Sequence, residues 1–257
     1  MEKNFFEWVM FFIQGNWQQF LLGTATTLLV SLSGTIIGFF LGLGVSLIQY
    51  TKTDDKSSTL FKGFIKFLKI LISIYITIFR GTPMIVQAMV IFYGLPQLIG
   101  LNLDPLPAAL LIVSINTGAY MAEMIRGGVD SVDPGQLEGA QAIGMSHFQA
   151  MISIIFPQAV RNVLPSIGNE FIINIKDTSV LNVIGVTELF FTSKSIAGSY
   201  AKYYEVFIIT SVIYLFLTFT ISLILNAIEK KIDGPKNFEI LPLQDGNSVV
   251  IKKGEGV

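Results

Sequence analysis

Cysteine is absent from the 257 residues, and histidine occurs once, at position 147. Without a thiol there is no disulfide, no thiolate metal site and no cysteine nucleophile. One imidazole excludes a multi-histidine metal site. Charge is scarce as well: 14% of the residues are Asp, Glu, Lys or Arg, against roughly 25% in soluble domains. A net charge of −1 gives no footprint for nucleic acid. The dipeptide Gly-Lys does not occur, so there is no G-x-x-x-x-G-K-[ST] loop to hold the phosphates of ATP. HExxH and GxGD are missing too, which removes the usual kits for intramembrane hydrolysis. The chain is expected to be no enzyme.

What fills the space is apolar. Hydrophobic residues make up 52% of the chain and the mean hydropathy is +0.64, the composition of an all-α integral membrane protein. Five crossings are predicted: about Phe20 to Ile48, Phe61 to Leu95, Leu106 to Ile125, Val160 to Val180 and Val206 to Ile228. The second exceeds one straight span of about 20 residues, and Arg80-Gly81-Thr82-Pro83 breaks it. The first carries Gly34, Gly38, Gly42 and Gly44, a small-residue pattern that lets helices approach closely in lipid.

Residues 1–19, with Glu2, Glu7 and a single Lys3, are not read as a signal peptide but as an interfacial helix. Phe5, Trp8, Val9 and Phe12 share one face, and Trp8 and Trp17 suit a membrane boundary. Residues 20–230 are expected to form the transmembrane domain and 231–257 a polar, loosely ordered tail. Lys52, Lys56, Arg126, Lys230, Lys231 and Lys236, with Lys62 at the edge, gather on one side. The segment 96–105 has no Lys or Arg, and 182–204 has only Lys194 and Lys202. The positive-inside rule therefore puts the N-terminus outside and the C-terminus in the cytoplasm.

Residues 133–157, between the third and fourth crossings, do not look like membrane. Asp133-Pro134 reads as an N-cap followed by Pro at N1, with Gln136 at N3. The helix should end near Ile143, with Gly144 supplying a left-handed turn. Ser146 and Gln149 form an S-x-x-Q capping box, and Pro157 should bend the chain into the next crossing. The product is a compact knob exposing Ala140, Ala142, Ile143, Met145 and Phe148, either a docking element or a plain connector. It is not a DNA-binding helix-turn-helix, because no Lys or Arg lies between Arg126 and Arg161.

Charges inside the membrane are costly and mark functional candidates. Lys62, Lys66, Lys69, Ser73, Thr77 and Arg80 form one polar stripe, whose first lysines can snorkel to headgroups. Arg80 lies deeper, beside the break, and either lines or braces a pathway. Thr82 and Gln87 belong to the same neighbourhood. The fourth crossing carries Asn169 and Glu170 near its middle and Lys176 and Asp177 near its outer end. That pair is either structural or a polar wall for a zwitterion. Glu123 and Arg126, three apart, are expected to pair on a helix surface.

The stretches FRGTPMIVQ (79–87), AYMAEMIRGGVDSV, PGQLEGAQAIGMS, FPQAVRNVLPSIGNEFI and KDTSVLNVIGVTEL together resemble permeases of the polar-amino-acid branch of bacterial ABC importers. The knob resembles that family's "EAA" coupling loop, with Gly139 where Ala is usual and Phe156 where Leu is usual. The resemblance implies a type I importer fold. It also implies contact with a separate ATPase through Glu138, Gly139, Ala140, Ala142, Gly144, Met145, Ser146, Phe148 and Pro157, with Glu138 a charged contact. ATP and Mg would sit on an ATPase dimer, leaving no cofactor in this chain. A second permease copy, identical or similar, and an extracytoplasmic binding protein would complete the assembly in the cell membrane. The alternative is an ion-coupled secondary transporter, which predicts inverted repeats that the sequence does not display.

Overall fold

The computed structural model describes residues 4–51, 58–233, 238–241 and 250–253. Helix α1 spans Phe5–Tyr50, 46 residues. Asn4 starts it by accepting from the Glu7 N–H at 2.9 Å, while the Glu7 carboxylate accepts from the Asn4 N–H at 2.9 Å. The expected interfacial helix is thus not a separate element but the first turns of α1. At 1.5 Å per residue α1 is about 69 Å long, far more than the ~30 Å of hydrocarbon it must cross. Glu2, Lys3, Lys52, Lys56 and Lys236 lie outside the described residues.

The second expected crossing is two helices, α2 (Thr59–Gly81) and α3 (Met84–Ile99), parted at Thr82 and Pro83. Then follow α4 (Pro105–Asp130), α5 (Pro134–Ala142), α6 (His147–Ala150) and a π-helical turn at Met151–Ile155 that runs into α7 (Phe156–Asp177). Pro157 was expected to turn the chain. Instead it sits in the first turn of α7, where the π turn has already shifted the hydrogen-bond ladder and its missing N–H falls at the discontinuity. A 3₁₀ segment, Thr178–Ile184, leads to α8 (Leu189–Tyr200) and α9 (Tyr203–Asp233). Helix α8 occupies a stretch read from sequence as a connection. In the tail, expected to be loosely ordered, Phe238–Leu241 (β1) and Val250–Lys253 (β2) pair antiparallel.

Among the described residues four helical stretches are long and apolar enough to cross a membrane: Phe5–Tyr50, Pro105–Asp130, His147–Ile184 and Tyr203–Lys231. Helices α2 and α3 do not qualify alone, α2 because of its lysines and α3 because of its 16 residues. Helix α4 is the hub, with Ile112, Val113, Met121 and Ile125 fully buried. Helix α1 lies directly on it. A Cβ placed on Gly38 would stand 2.7 Å from the Thr117 Cβ, one on Gly42 2.5 Å from the Met121 Cβ, and one on Gly34 would collide with Val113. Packing this close is what holds helices together where lipid offers no hydrophobic drive. Gly44 is outside the seam, with nothing near it. Asn174 of α7 completes the centre by donating to Thr35 and Thr117, at 2.8 and 3.0 Å.

Candidate functional site: a knob at one end and a clasped helix break

The knob is built from its own caps. Asp133 Oδ1 accepts from the Gly135 N–H at 2.7 Å. Gly144 takes φ 88°, in the left-handed region that glycine enters at no steric cost. The Met145 N–H then reaches back to the Ala140 carbonyl at 3.1 Å and the Gly144 N–H to that of Gln141 at 3.0 Å. Ser146 and Gln149 cap each other's backbone, at 3.3 and 2.9 Å. The Asp133 cap, the Gly144 turn and the Ser146–Gln149 box therefore stand where the spacing put them.

The two short helices present Ile143 (79% exposed) and Phe148 (61% exposed), with Glu138, Gly139, Ala142, Gly144, Ser146 and Pro157 also exposed and Met145 half-buried. Ala140 is a correction: it is 3% exposed, on the inner face of α5, because a nine-residue helix offers too few turns for its faces to be told apart from pattern. A Cβ on Gly139 would meet nothing within 4 Å, so alanine would fit there equally well. Phe156 does not join the exposed face. It packs under the knob with Val129, Val132, Met151 and Ala159, its ring 6.2 Å from that of Tyr50. It anchors the knob to the bundle.

The imidazole of His147 fixes the knob to the end of α1, with Nε2 3.1 Å from the Tyr50 carbonyl. Since a carbonyl only accepts, Nε2 carries the proton. Tyr50 in turn donates its hydroxyl to Asp130 Oδ1 at 2.7 Å. Sequence reading passed over both residues, which are separated by 97 positions.

The break between α2 and α3 has Gly81, Thr82 and Pro83 exposed and is clasped from behind by the buried Gln87. Pro83 has no N–H to give the Phe79 carbonyl one turn back. The amide of Gln87 supplies that donor, 2.9 Å from the Phe79 oxygen and 2.8 Å from the Thr82 carbonyl. The Thr82 hydroxyl donates to the Ile78 carbonyl at 2.8 Å, and Asn116 of α4 donates to Gln87 Oε1 at 2.9 Å. Thr82 and Gln87 are thus brought together, 2.9 Å apart. Arg80 lies just before the break, ion-paired to Glu123 at 3.2 Å and 5.6 Å over the Tyr120 ring. Glu123 binds Arg126 as predicted, and Arg80 in addition.

Helix α7 holds the other pathway candidates. Glu170 is buried and Asn169 exposed. Lys176 and Asp177 are both exposed at the helix end, with no ion pair between them among the described residues. Lys176 opens onto a groove of about 430 Å³ with Ser179, Phe190, Ser211, Tyr214 and Thr218. Beside it lies a carboxylate the sequence reading missed. Glu188, fully buried, accepts from the N–H groups of Phe190 and Phe191 at 2.8 and 2.6 Å and from the Tyr214 hydroxyl at 3.1 Å. The signal was a Glu immediately before an apolar run, in a place where Ser, Thr, Asp or Asn usually caps.

Residues 59–234, which include the break, the knob and the α7–α9 groove, match the family model described as binding-protein-dependent transport system inner membrane component. The chain belongs to this family. Among curated relatives of these inner membrane components, the arginine transport system permease protein ArtQ of Bacillus subtilis is 35% identical over 210 residues, 82% of this chain and 90% of that one. The glutamine transport system permease protein GlnP of Escherichia coli is 37% identical over 210 residues, 81% and 90% of the two chains. A chain in a crystal structure described as an amino acid ABC transporter with histidines superposes with a TM-score of 0.76 at 35% identity, covering 90% of this chain and all of that one. The MetNI methionine ABC transporter, inward facing, shares the fold at a TM-score of 0.67 and 17% identity. The protein is therefore an all-α ABC-importer permease, and none of these relatives supports an ion-coupled carrier.

Proposed function

We propose that this permease forms, with a second copy of itself or a similar chain, the membrane pathway of an ATP-driven importer for a polar amino acid. The observation that carries the reading is the knob. Two capped short helices expose Ile143 and Phe148 to water on a membrane protein that has no phosphate loop of its own. Exposed apolar anchors rimmed by polar groups mark a binding face. The occupant is the groove of a separate ATPase subunit, with Glu138 as the charged contact, and ATP and Mg belong to that partner dimer. Arg126, Lys230 and Lys231 flank the knob end of the bundle, which the positive-inside rule places in the cytoplasm of a bacterial cell, with the N-terminus outside.

An extracytoplasmic binding protein delivers the substrate to the opposite end. There Lys176 and Asp177, next to the α7–α9 groove, offer a cation to the carboxylate and an anion to the ammonium of an amino acid. Asn169 and Glu170 continue that polar wall along α7. Arg80, Thr82 and Gln87 shape the break that borders the pathway. Relatives that carry arginine and glutamine in their names fit such a zwitterion site.

The test is uptake into proteoliposomes holding the permease, its ATPase and the binding protein. Accumulation of a labelled polar amino acid should require ATP. Accumulation by the permease alone on a proton or sodium gradient would overturn the reading.

A further inference from the structure

One connected line of polar and charged groups runs from the knob to the helix break. His147 of α6 holds the Tyr50 carbonyl at 3.1 Å, and the Tyr50 hydroxyl reaches Asp130 at 2.7 Å. Asp130 takes Arg126 Nη1 at 3.0 Å. Arg126 grips Glu123 through Nε and Nη2, at 3.2 and 3.1 Å. Glu123 Oε2 then takes Arg80 at 3.2 Å, one residue before Gly81 and the break. Four helices, α6, α1, α4 and α2, are joined in this order.

We propose that Glu123 is a latch and a positioning residue for transport: it holds the break end of α2 onto α4 in this conformation and releases Arg80 when the knob is driven. This rests on the reading of the knob as the ATPase-docking element. Three observations select Glu123. Its Oε2 is shared by two guanidinium groups from different helices, 3.2 Å to Arg80 and 3.1 Å to Arg126. Losing Arg80 would leave the carboxylate paired with Arg126, so release strands no anion. The Arg80 and Arg126 side chains are also 43% and 47% uncovered by the rest of the chain, so no packed neighbour has to move for a guanidinium to leave.

The third observation is the contrast across the break. Behind the break Gln87 and Asn116 are buried, the Gln87 amide holds the Phe79 carbonyl of α2 at 2.9 Å, and the Tyr75 hydroxyl of α2 donates to the Ile115 carbonyl of α4 at 2.6 Å, so parting these would strand carbonyls and amides. The bodies of α2 and α3 therefore stay on α4, and what moves is the exposed corner at residues 80–82 that Glu123 holds. A Cβ on Gly81 would meet nothing within 4 Å, so the neighbourhood leaves room for that movement.

A two-state element biased from two sites is the physical content of coupling. The natural absence of cysteine makes the test clean. Arg80→Cys with Glu123→Cys, assembled with the ATPase and binding protein in proteoliposomes, is bridged by a short bifunctional thiol reagent. Bridging should be efficient without nucleotide and fall at least about fivefold when the ATPases are trapped closed with ATP and vanadate. Glu123→Gln, which keeps the shape and loses the charge, should raise ATP hydrolysis in the absence of substrate and lower the amino acid imported per ATP. Glu123→Asp should restore part of that ratio. A purely structural role would instead lower the yield of assembled complex and leave the ratio unchanged.

Equal bridging in both nucleotide states, or a wild-type uptake-to-hydrolysis ratio in Glu123→Gln, overturns the latch. Should Glu123→Gln fail to assemble, the bridging comparison still decides. Wild-type complex that imports with ATP while bridging does not change defeats the latch alone. Wild-type complex that fails to import with ATP defeats the permease reading and the latch with it.

Discussion

Two interruptions of the permease's helices, one at each candidate site, are solved in opposite ways. Between α5 and α6 the chain turns at the exposed Gly144, and the caps that close the two helix ends come from within residues 133–149. Between α2 and α3 it breaks at Pro83, with Gly81, Thr82 and Pro83 on the outside, and the freed carbonyls are met from behind by Gln87 and, behind it, by Asn116 from another helix. A water-facing interruption is free to be local, because solvent covers what the caps leave. One within a membrane crossing needs donors brought from afar, since an unmet carbonyl in lipid or packed protein has no other recourse. The first yields a rigid element that can be gripped, the second a joint that is held shut.

That contrast can be broken experimentally. Gln87→Leu should have the largest effect. It removes the donor to Phe79 and Thr82 and strands Asn116, a loss of about 3 kcal/mol in bundle stability. Thermal unfolding of the detergent-solubilised permease should show it, and an unshifted transition would mean the break is not held by this amide. Gly144→Val should cost less, about 1–2 kcal/mol, because only the φ of 88° is strained. The effect should be confined to the knob: ATPase association falls while the unfolding temperature of the bundle barely moves. A bundle-wide loss would erase the distinction between the two sites. Ser146→Ala should be mildest, about 1 kcal/mol of local helix stability. Hydrogen exchange should read it as faster opening of α6, with uptake reduced only modestly. Exchange unchanged in α6 would show that the box does not hold this short helix.

The same contrast explains what the sequence told and what it withheld. Asp133, Gly144, Ser146 and Gln149 each bond groups only two or three residues away, so spacing alone placed the knob. Gly34, Gly38 and Gly42 were legible because a seam between helices repeats every four residues. Gly44 shares the pattern but not the contact, which only the neighbouring helix decides. Arg80 was recognised as out of place in an apolar helix, yet its partner was not, because Glu123 already had a local candidate in Arg126. Ala140 was misjudged because a single exposed helix of nine residues carries no pattern that separates its faces. Helix α8 was missed because its start is capped by a buried glutamate whose third partner, Tyr214, lies 26 residues on. Contacts that span tens of residues leave no periodic trace.

Glu138 bears most directly on the claim that force enters this permease through the knob. It is exposed on α5, away from the bundle core, so Glu138→Arg should leave the membrane helices folded. In proteoliposomes with the ATPase and binding protein, amino acid imported per ATP hydrolysed should collapse in this variant while the permease retains its wild-type unfolding temperature. Import at the wild-type ratio would contradict the account.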